Sequence, residues 1–128
     1  MKTLTVLIIT LATCLPAQAN TITEEQAVQC IAGEAENQGL DGMRAHASAI
    51  RNRGSLRGVY GCNSKRLPKI EAWVFDQARR AWKDSATHDY VDGADHFGAV
   101  GLDSKWIDKM EQSMKFVKQV KDVRFYKQ

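Results

Sequence analysis

The chain has little charge of either sign to spare: 18 Lys and Arg stand against 15 Asp and Glu in 128 residues, a formal +3. So mild a balance gives no reason to expect nucleic acid as a partner, although an anionic polymer remains compatible. There is no HExxH, and His46, His88 and His96 are scattered along the chain, which argues against a zinc amidase or peptidase. No metal and no other cofactor is expected. No repeat and no linker interrupts the sequence, so one small domain is the default. The apolar run from Leu4 to Leu15 is closed by Pro16 and falls short of the ~20 residues that span a bilayer.

That run has a different reading. Lys2, the apolar stretch and Ala17-Gln18-Ala19 form the pattern of a secretory signal peptide over residues 1–19, with cleavage after Ala19. The expected product is exported, periplasmic or secreted, without stable membrane insertion, and a single domain over 20–128; a monomer is the expectation. Cleavage also removes Cys14 and leaves two cysteines, Cys30 and Cys62. In an oxidising compartment such a pair is expected to form a disulfide.

The candidate chemistry lies in residues 23–39, TEEQAVQCIAGEAENQG. Thr23 with Gln26 three residues on is a capping box, and Glu24 and Glu25 suit the first turn of a helix predicted over 23–37. At about 100° per residue, Ala27, Val28, Ile31, Glu34 and Ala35 share one face, while Gln29 and Glu36 point away. A carboxyl bordering an apolar stripe near a helix C-terminus is disfavoured in its charged form, which suits Glu34 to general-acid work. Periodicity alone does not separate this from a last-turn residue leaning into solvent.

Further helices are predicted over 42–53, ended by Gly54, over 68–83 and over 104–120. His46 falls on the apolar face of the second and reads as a core histidine. In the third, Ile70, Trp73, Val74, Ala78, Ala81 and Trp82 give the clearest amphipathic spacing, with both tryptophans expected in the core. The fourth is expected to turn Trp106, Met110, Met114 and Val117 inward. Residues 54–67 read as a loop, the Gly- and Asp-rich stretch 84–105 as a functional loop, and VRFYK near the end as a short strand.

In order along the chain stand Glu34-Ala35-Glu36-Asn37-Gln38-Gly39, AHASAIRNR ending in Asn52-Arg53, Asp89-Tyr90-Val91-Asp92-Gly93-Ala94, His96-Phe97, Ser104-Lys105-Trp106 and Phe125-Tyr126-Lys127. This succession resembles the spore cortex-lytic, germination-associated family of cell wall hydrolases. It departs from the family at Tyr90 and Val91 and in the 55–67 segment. The resemblance implies a mainly α, small lysozyme-like helical domain with at most a short β element. It further implies a peptidoglycan lytic transglycosylase that needs no metal, cleaves the MurNAc-GlcNAc linkage and uses one acid, Glu34. Asn52, His96, Phe97, Trp106 and Tyr126 are the expected substrate-binding residues, the aromatics because their faces suit sugar rings. Two alternatives stand beside it: a muramidase-type hydrolase drawing a second carboxylate from Asp89, Asp92 or Asp95, and a non-enzymatic exported disulfide-bonded binding or inhibitor protein.

Overall fold

The computed structural model describes residues 21–128; the expected signal peptide lies outside them. Among the described residues no helix is long and apolar enough to cross a membrane. The order of elements is α1 (Glu24–Ala35), α2 (Gly39–Arg53), two 3-10 turns (Tyr60–Asn63 and Leu67–Lys69), α3 (Ala72–Asp84), β1 (His96–Ala99), α4 (Ser104–Ser113), β2 (Lys115–Val120) and β3 (Val123–Lys127).

The capping box forms as read: the Gln26 N–H donates to Thr23 Oγ1, and the Thr23 N–H donates to Gln26 Oε1, each at 3.2 Å. α1 then buries Ala27, Val28, Cys30, Ile31, Ala32 and Ala35. α2 ends at Gly54, whose φ of 77° is the left-handed conformation that glycine adopts freely. This helix is buried all round between Ala45 and Ile50. Met43, Ala47 and Ile50 belong to one core with α1 and α3, while Ala45 and Ala49 belong to a second core with Val91, Ala94, Val123 and Phe125. Small side chains on both faces let α2 serve as the wall between the two. His46 sits in that wall, with Nδ1 2.7 Å from the Gly42 carbonyl oxygen, and burial drops its pKa to about 4.

The third helix begins at Ala72 rather than 68, after a 3-10 turn containing Pro68. Val74, Ala78, Ala81 and Trp82 are buried as expected, but Trp73 is 57% exposed and donates its Nε1–H to Glu71. The reason is angular: Val74, Ala78 and Ala81 cluster within about 60° on the helix surface, and Trp73 lies about 100° off that cluster. Trp82 is held by Arg51, whose guanidinium carbon lies 3.6 Å from a ring centroid.

The predicted fourth helix stops at Ser113, and Lys115–Val120 is a strand. Met110 is buried, Met114 and Val117 are only partly so, and Trp106 is 39% exposed. The i, i+4, i+8, i+11 spacing of those four residues happens to run across a helix–strand junction. Beyond it, alternating side chains and the two-residue turn Lys121-Asp122 favour a hairpin. The sheet has the order β1-β3-β2 and is antiparallel throughout, with VRFYK as its central strand. Phe97, Ala99, Val123 and Phe125 face α2, while His96, Gly98, Arg124 and Tyr126 face α4.

A disulfide joins Cys30 of α1 to Cys62 of the first 3-10 turn, 32 residues apart. Opening it, by reduction or by Cys30→Ser with Cys62→Ser, should lower unfolding stability by about 3 to 4 kcal/mol. The urea midpoint of oxidised against reduced protein checks this, and thiol titration of the exported protein should find no free cysteine.

Candidate active site

Glu34 occupies the last turn of α1, where its side chain leaves the core and meets the turn carrying Cys62. The Gly61 N–H donates to Glu34 Oε2 at 2.6 Å. This contact needs two glycines. A Cβ on Gly33 would lie 2.0 Å from the Gly61 carbonyl oxygen, and a Cβ on Gly61 would lie 2.3 Å from the Glu34 nitrogen. Helix and turn therefore touch backbone to backbone.

The carboxyl opens into a cavity of about 640 Å³ between the end of α2, the 55–60 loop, β1 and α4. Two smaller depressions flank it. One shares Arg57, Gly58 and Tyr60 with it, and the other shares Glu34 and Phe97. Burial pushes the Glu34 carboxyl above its ordinary 4.5; the Gly61 hydrogen bond opposes the rise, the Asp103 charge adds to it, and the Arg53 guanidinium opposes it. The net direction favours a group that holds its proton longer than a free glutamate. Glu36 stays out of this cavity, lining only the flanking depression shared with Glu34, and pairs with Arg66 at 2.7 Å.

Of the residues singled out by sequence, His96, Phe97 and Trp106 line the cavity together with Glu34. Asp95 Oδ1 lies 2.9 Å from His96 Nδ1, and the Trp106 indole donates to the Phe97 carbonyl at 3.1 Å. Both side chains are thereby fixed on one rim. Phe97 is also a core residue, 4.7 Å from the His46 ring and 5.8 Å from Phe125 between centroids.

Asn52 and Tyr126 do not line the cavity. The Asn52 amide donates to Asp89 Oδ2 and to the Ala94 carbonyl, latching the 89–94 loop onto α2. Tyr126 is fully buried on the α4 face of the sheet, where its hydroxyl donates to Glu111 and accepts from Arg124 Nε. Cross-strand pairing with His96 puts it on the same face, but Phe116 and Glu111 cover it there.

Sequence reasoning missed Arg53, Arg57, Tyr60, Asp103, Lys105 and Lys109, all of which line the cavity. Arg53 is the immediate neighbour of the motif residue Asn52, and one helical step of about 100° decides which of them faces the cavity. Asp89, Asp92 and Asp95 are not in the lining. Asp89 accepts from the Val91 and Gly93 N–H groups, Asp92 holds a turn at φ 49°, and Asp95 serves His96 and the Gln128 N–H. The second carboxylate of the cavity is Asp103, whose Oδ2 accepts the Ala99 N–H at 2.8 Å. Among the described residues no three His, Cys, Asp or Glu side chains gather as a metal site.

No family model and no curated protein matches the sequence. Two solved structures share the fold. The catalytic domain of the germination-specific lytic transglycosylase SleB from Bacillus anthracis is 19% identical, with a TM-score of 0.59 over 81% of this chain and 93% of that one. The catalytic domain of the Bacillus cereus SleB protein is 20% identical, with a TM-score of 0.55 over 81% and 88% respectively. The architecture is thus the mainly α, small lysozyme-like class that the sequence motifs implied, and its fold neighbours are SleB catalytic domains.

The raised Glu34 pKa has a consequence for stability. The folded state binds this proton more tightly than the unfolded chain, so Glu34 costs nothing below about its ordinary 4.5 and becomes a penalty as pH rises through its higher folded value. Glu34→Gln keeps an oxygen for the Gly61 N–H and removes the charge. Urea unfolding should find the variant at least as stable as the parent at pH ~7, with its relative advantage shrinking toward pH ~4.

Proposed function

We propose that the chain cleaves peptidoglycan glycan strands at the MurNAc-GlcNAc linkage as a lytic transglycosylase, with Glu34 as general acid and then base. One observation carries the reading: a single carboxyl, pushed toward its protonated form, is held by a backbone N–H on the floor of an aromatic-rimmed cavity. The Bacillus anthracis neighbour is itself a lytic transglycosylase domain, which supports the reaction type.

In this mechanism Glu34 gives its proton to the glycosidic oxygen as the bond to the muramic anomeric carbon breaks. The C6 hydroxyl of the same sugar attacks that carbon, and its proton passes to the Glu34 carboxylate. A 1,6-anhydro ring forms, no water is consumed and the acid is regenerated. Burial keeps the proton on Glu34 for the first half, while Gly61 and Arg53 favour the carboxylate that the first half creates. His96, Phe97, Trp106 and Tyr60 supply the faces and edges against which sugar rings pack. The Cys30–Cys62 bridge supports export to an oxidising compartment, where such a wall lies.

Asp103 favours a second reading. A hydrolase needs a second carboxylate to activate water or form a covalent intermediate, and Asp103 lines the same cavity. Its engagement by the Ala99 N–H supports a structural and electrostatic role instead.

Glu34→Gln should lower wall-clearing activity by about 10²- to 10⁴-fold, whereas Glu36→Gln, outside the cavity, should retain most of it. Asp103→Asn separates the two readings. In a transglycosylase it should still cleave, with the alkaline limb of the rate profile moved to lower pH because Glu34 loses the charge that helped it keep its proton. In a hydrolase it should be inactive. Mass spectrometry of the products, run in isotopically labelled water, should show 1,6-anhydromuramic ends without label. Labelled reducing ends would replace the transglycosylase by the hydrolase.

A further inference from the structure

The cavity holds cations for which the protein provides no carboxylate. Arg57, Lys105 and Lys109 line it and are exposed. Among the described residues none of the three forms an ion pair, and residues 1–20 contain no Asp or Glu that could supply one. Outside the cavity, Arg44, Arg66, Arg79, Arg80, Lys83 and Arg124 each have a carboxylate partner. Exposed lysines such as Lys65, Lys69, Lys115, Lys121 and Lys127 are scattered over the surface without one among the described residues; the three cavity cations differ from these in being gathered around one concave site. The cavity's acidic side chains are engaged elsewhere, Glu34 by the Gly61 N–H and Asp103 by the Ala99 N–H; the last residue, Gln128, also lines the cavity, and no ion pair joins its carboxylate to the three cations. Arg53 differs from the three: it is partly buried, donates to the Asp95 and Arg57 carbonyls and acts on Glu34.

Local physics disfavours this placement. Lys105 stands in the first turn of α4, where the helix dipole opposes a positive charge, and that turn contains no acidic residue. Lys109 is one turn further on, so the pair is a like-charge i, i+4 neighbour, which also costs stability. Asp103 at the N-cap and Asp108, three residues after Lys105, offset part of both costs. What distinguishes Arg57, Lys105 and Lys109 is that they gather around one cavity with no ion pair among the described residues.

We infer that Arg57, Lys105 and Lys109 bind carboxylates carried as side branches on the glycan strand. The inference rests on the glycan-cleaving reading above. N-acetylated sugar rings carry no charge, so the strand's own backbone offers these cations no partner. The anionic groups of peptidoglycan hang from the lactyl arm of the muramic sugar, either as that arm's free carboxylate or as the carboxylates of a peptide stem. Arg57 and the α4 lysines come from two different elements bordering the cavity that holds Glu34, and Arg57 also lines the neighbouring depression. Charge is therefore offered beside the scissile bond and along the path of the strand.

Binding is measured in a Glu34→Gln background, which holds substrate without turnover, with and without Lys105→Gln plus Lys109→Gln. The ligands are soluble stem-bearing glycan fragments, strands stripped of their stems by an amidase, and an uncharged N-acetylglucosamine oligomer, at about 0.05 M and about 0.5 M salt. Because both lysines are exposed, the variant should fold, and circular dichroism checks this. The expected result is about tenfold weaker binding of the stem-bearing fragments at low salt, a gap that closes at high salt, and no change for the neutral oligomer. Arg57→Gln should repeat the pattern. Loss confined to stem-bearing fragments assigns the peptide carboxylates, and equal loss on stripped strands assigns the lactyl carboxylate. Equal loss on the neutral oligomer, or no loss on either anionic ligand, overturns the inference. A parent chain that binds the anionic strands in this charge-dependent way but cleaves none would overturn the proposed function and leave this inference standing.

Discussion

The Gly61 N–H reaches Glu34 because an α-helix and a 3-10 turn meet with no side chain between them. Gly33 and Gly61 remove the two Cβ atoms that would hold the backbones apart, and Cys30–Cys62 joins the same two elements covalently. The site follows from this contact. It buries Glu34 enough to raise its pKa while giving one of its oxygens a partner, so the group avoids the full cost of an orphaned buried acceptor. It also fixes Tyr60, next in sequence to Gly61, where the central cavity meets its neighbour.

The opposite rim is built by different means. Phe97 is anchored in the core by His46 and Phe125, and β1 thereby carries His96 to the cavity edge. α4 packs over Gly98, where a Cβ would come within 3.0 Å of Ile107 and 3.1 Å of Met110, and that close approach carries Trp106, Lys105 and Lys109 to the same edge. A rigid sheet and a short helix thus face a disulfide-tied turn, with the acid between them.

Local signals were legible in the sequence. The capping box, the angular position of Glu34, the core role of His46 and the Cys30–Cys62 pairing depend on a few neighbouring residues or on the two cysteines left when Cys14 is assigned to the expected signal peptide, and all four are present. What was not legible depends on long-range pairing. Met114 and Val117 fit a helical stripe, and only the partnership of Lys115–Val120 with Val123–Lys127 makes that segment a strand. Tyr126 and Asn52 carry the right chemistry for a sugar site, but strand register and one helical step turn them toward Glu111 and Asp89. Asp103 and Lys109 belong to no motif, and only the tertiary fold brings them into one cavity with Arg53 and Lys105.

α2 forms a wall with a core on each side, Met43, Ala47 and Ile50 facing one and Ala45 and Ala49 the other. Two cores in a small chain could melt separately, each as its own unit. Here neither can, because the wall has no face of its own to retreat to: loosening the α1–α3 side withdraws support from the sheet side through the same turn of helix. The protein should therefore unfold as one cooperative body, with the amides of Ala45–Ile50 exchanging with solvent only on global opening. The floor and rim of the cavity, one on each side of that wall, rise and fall together.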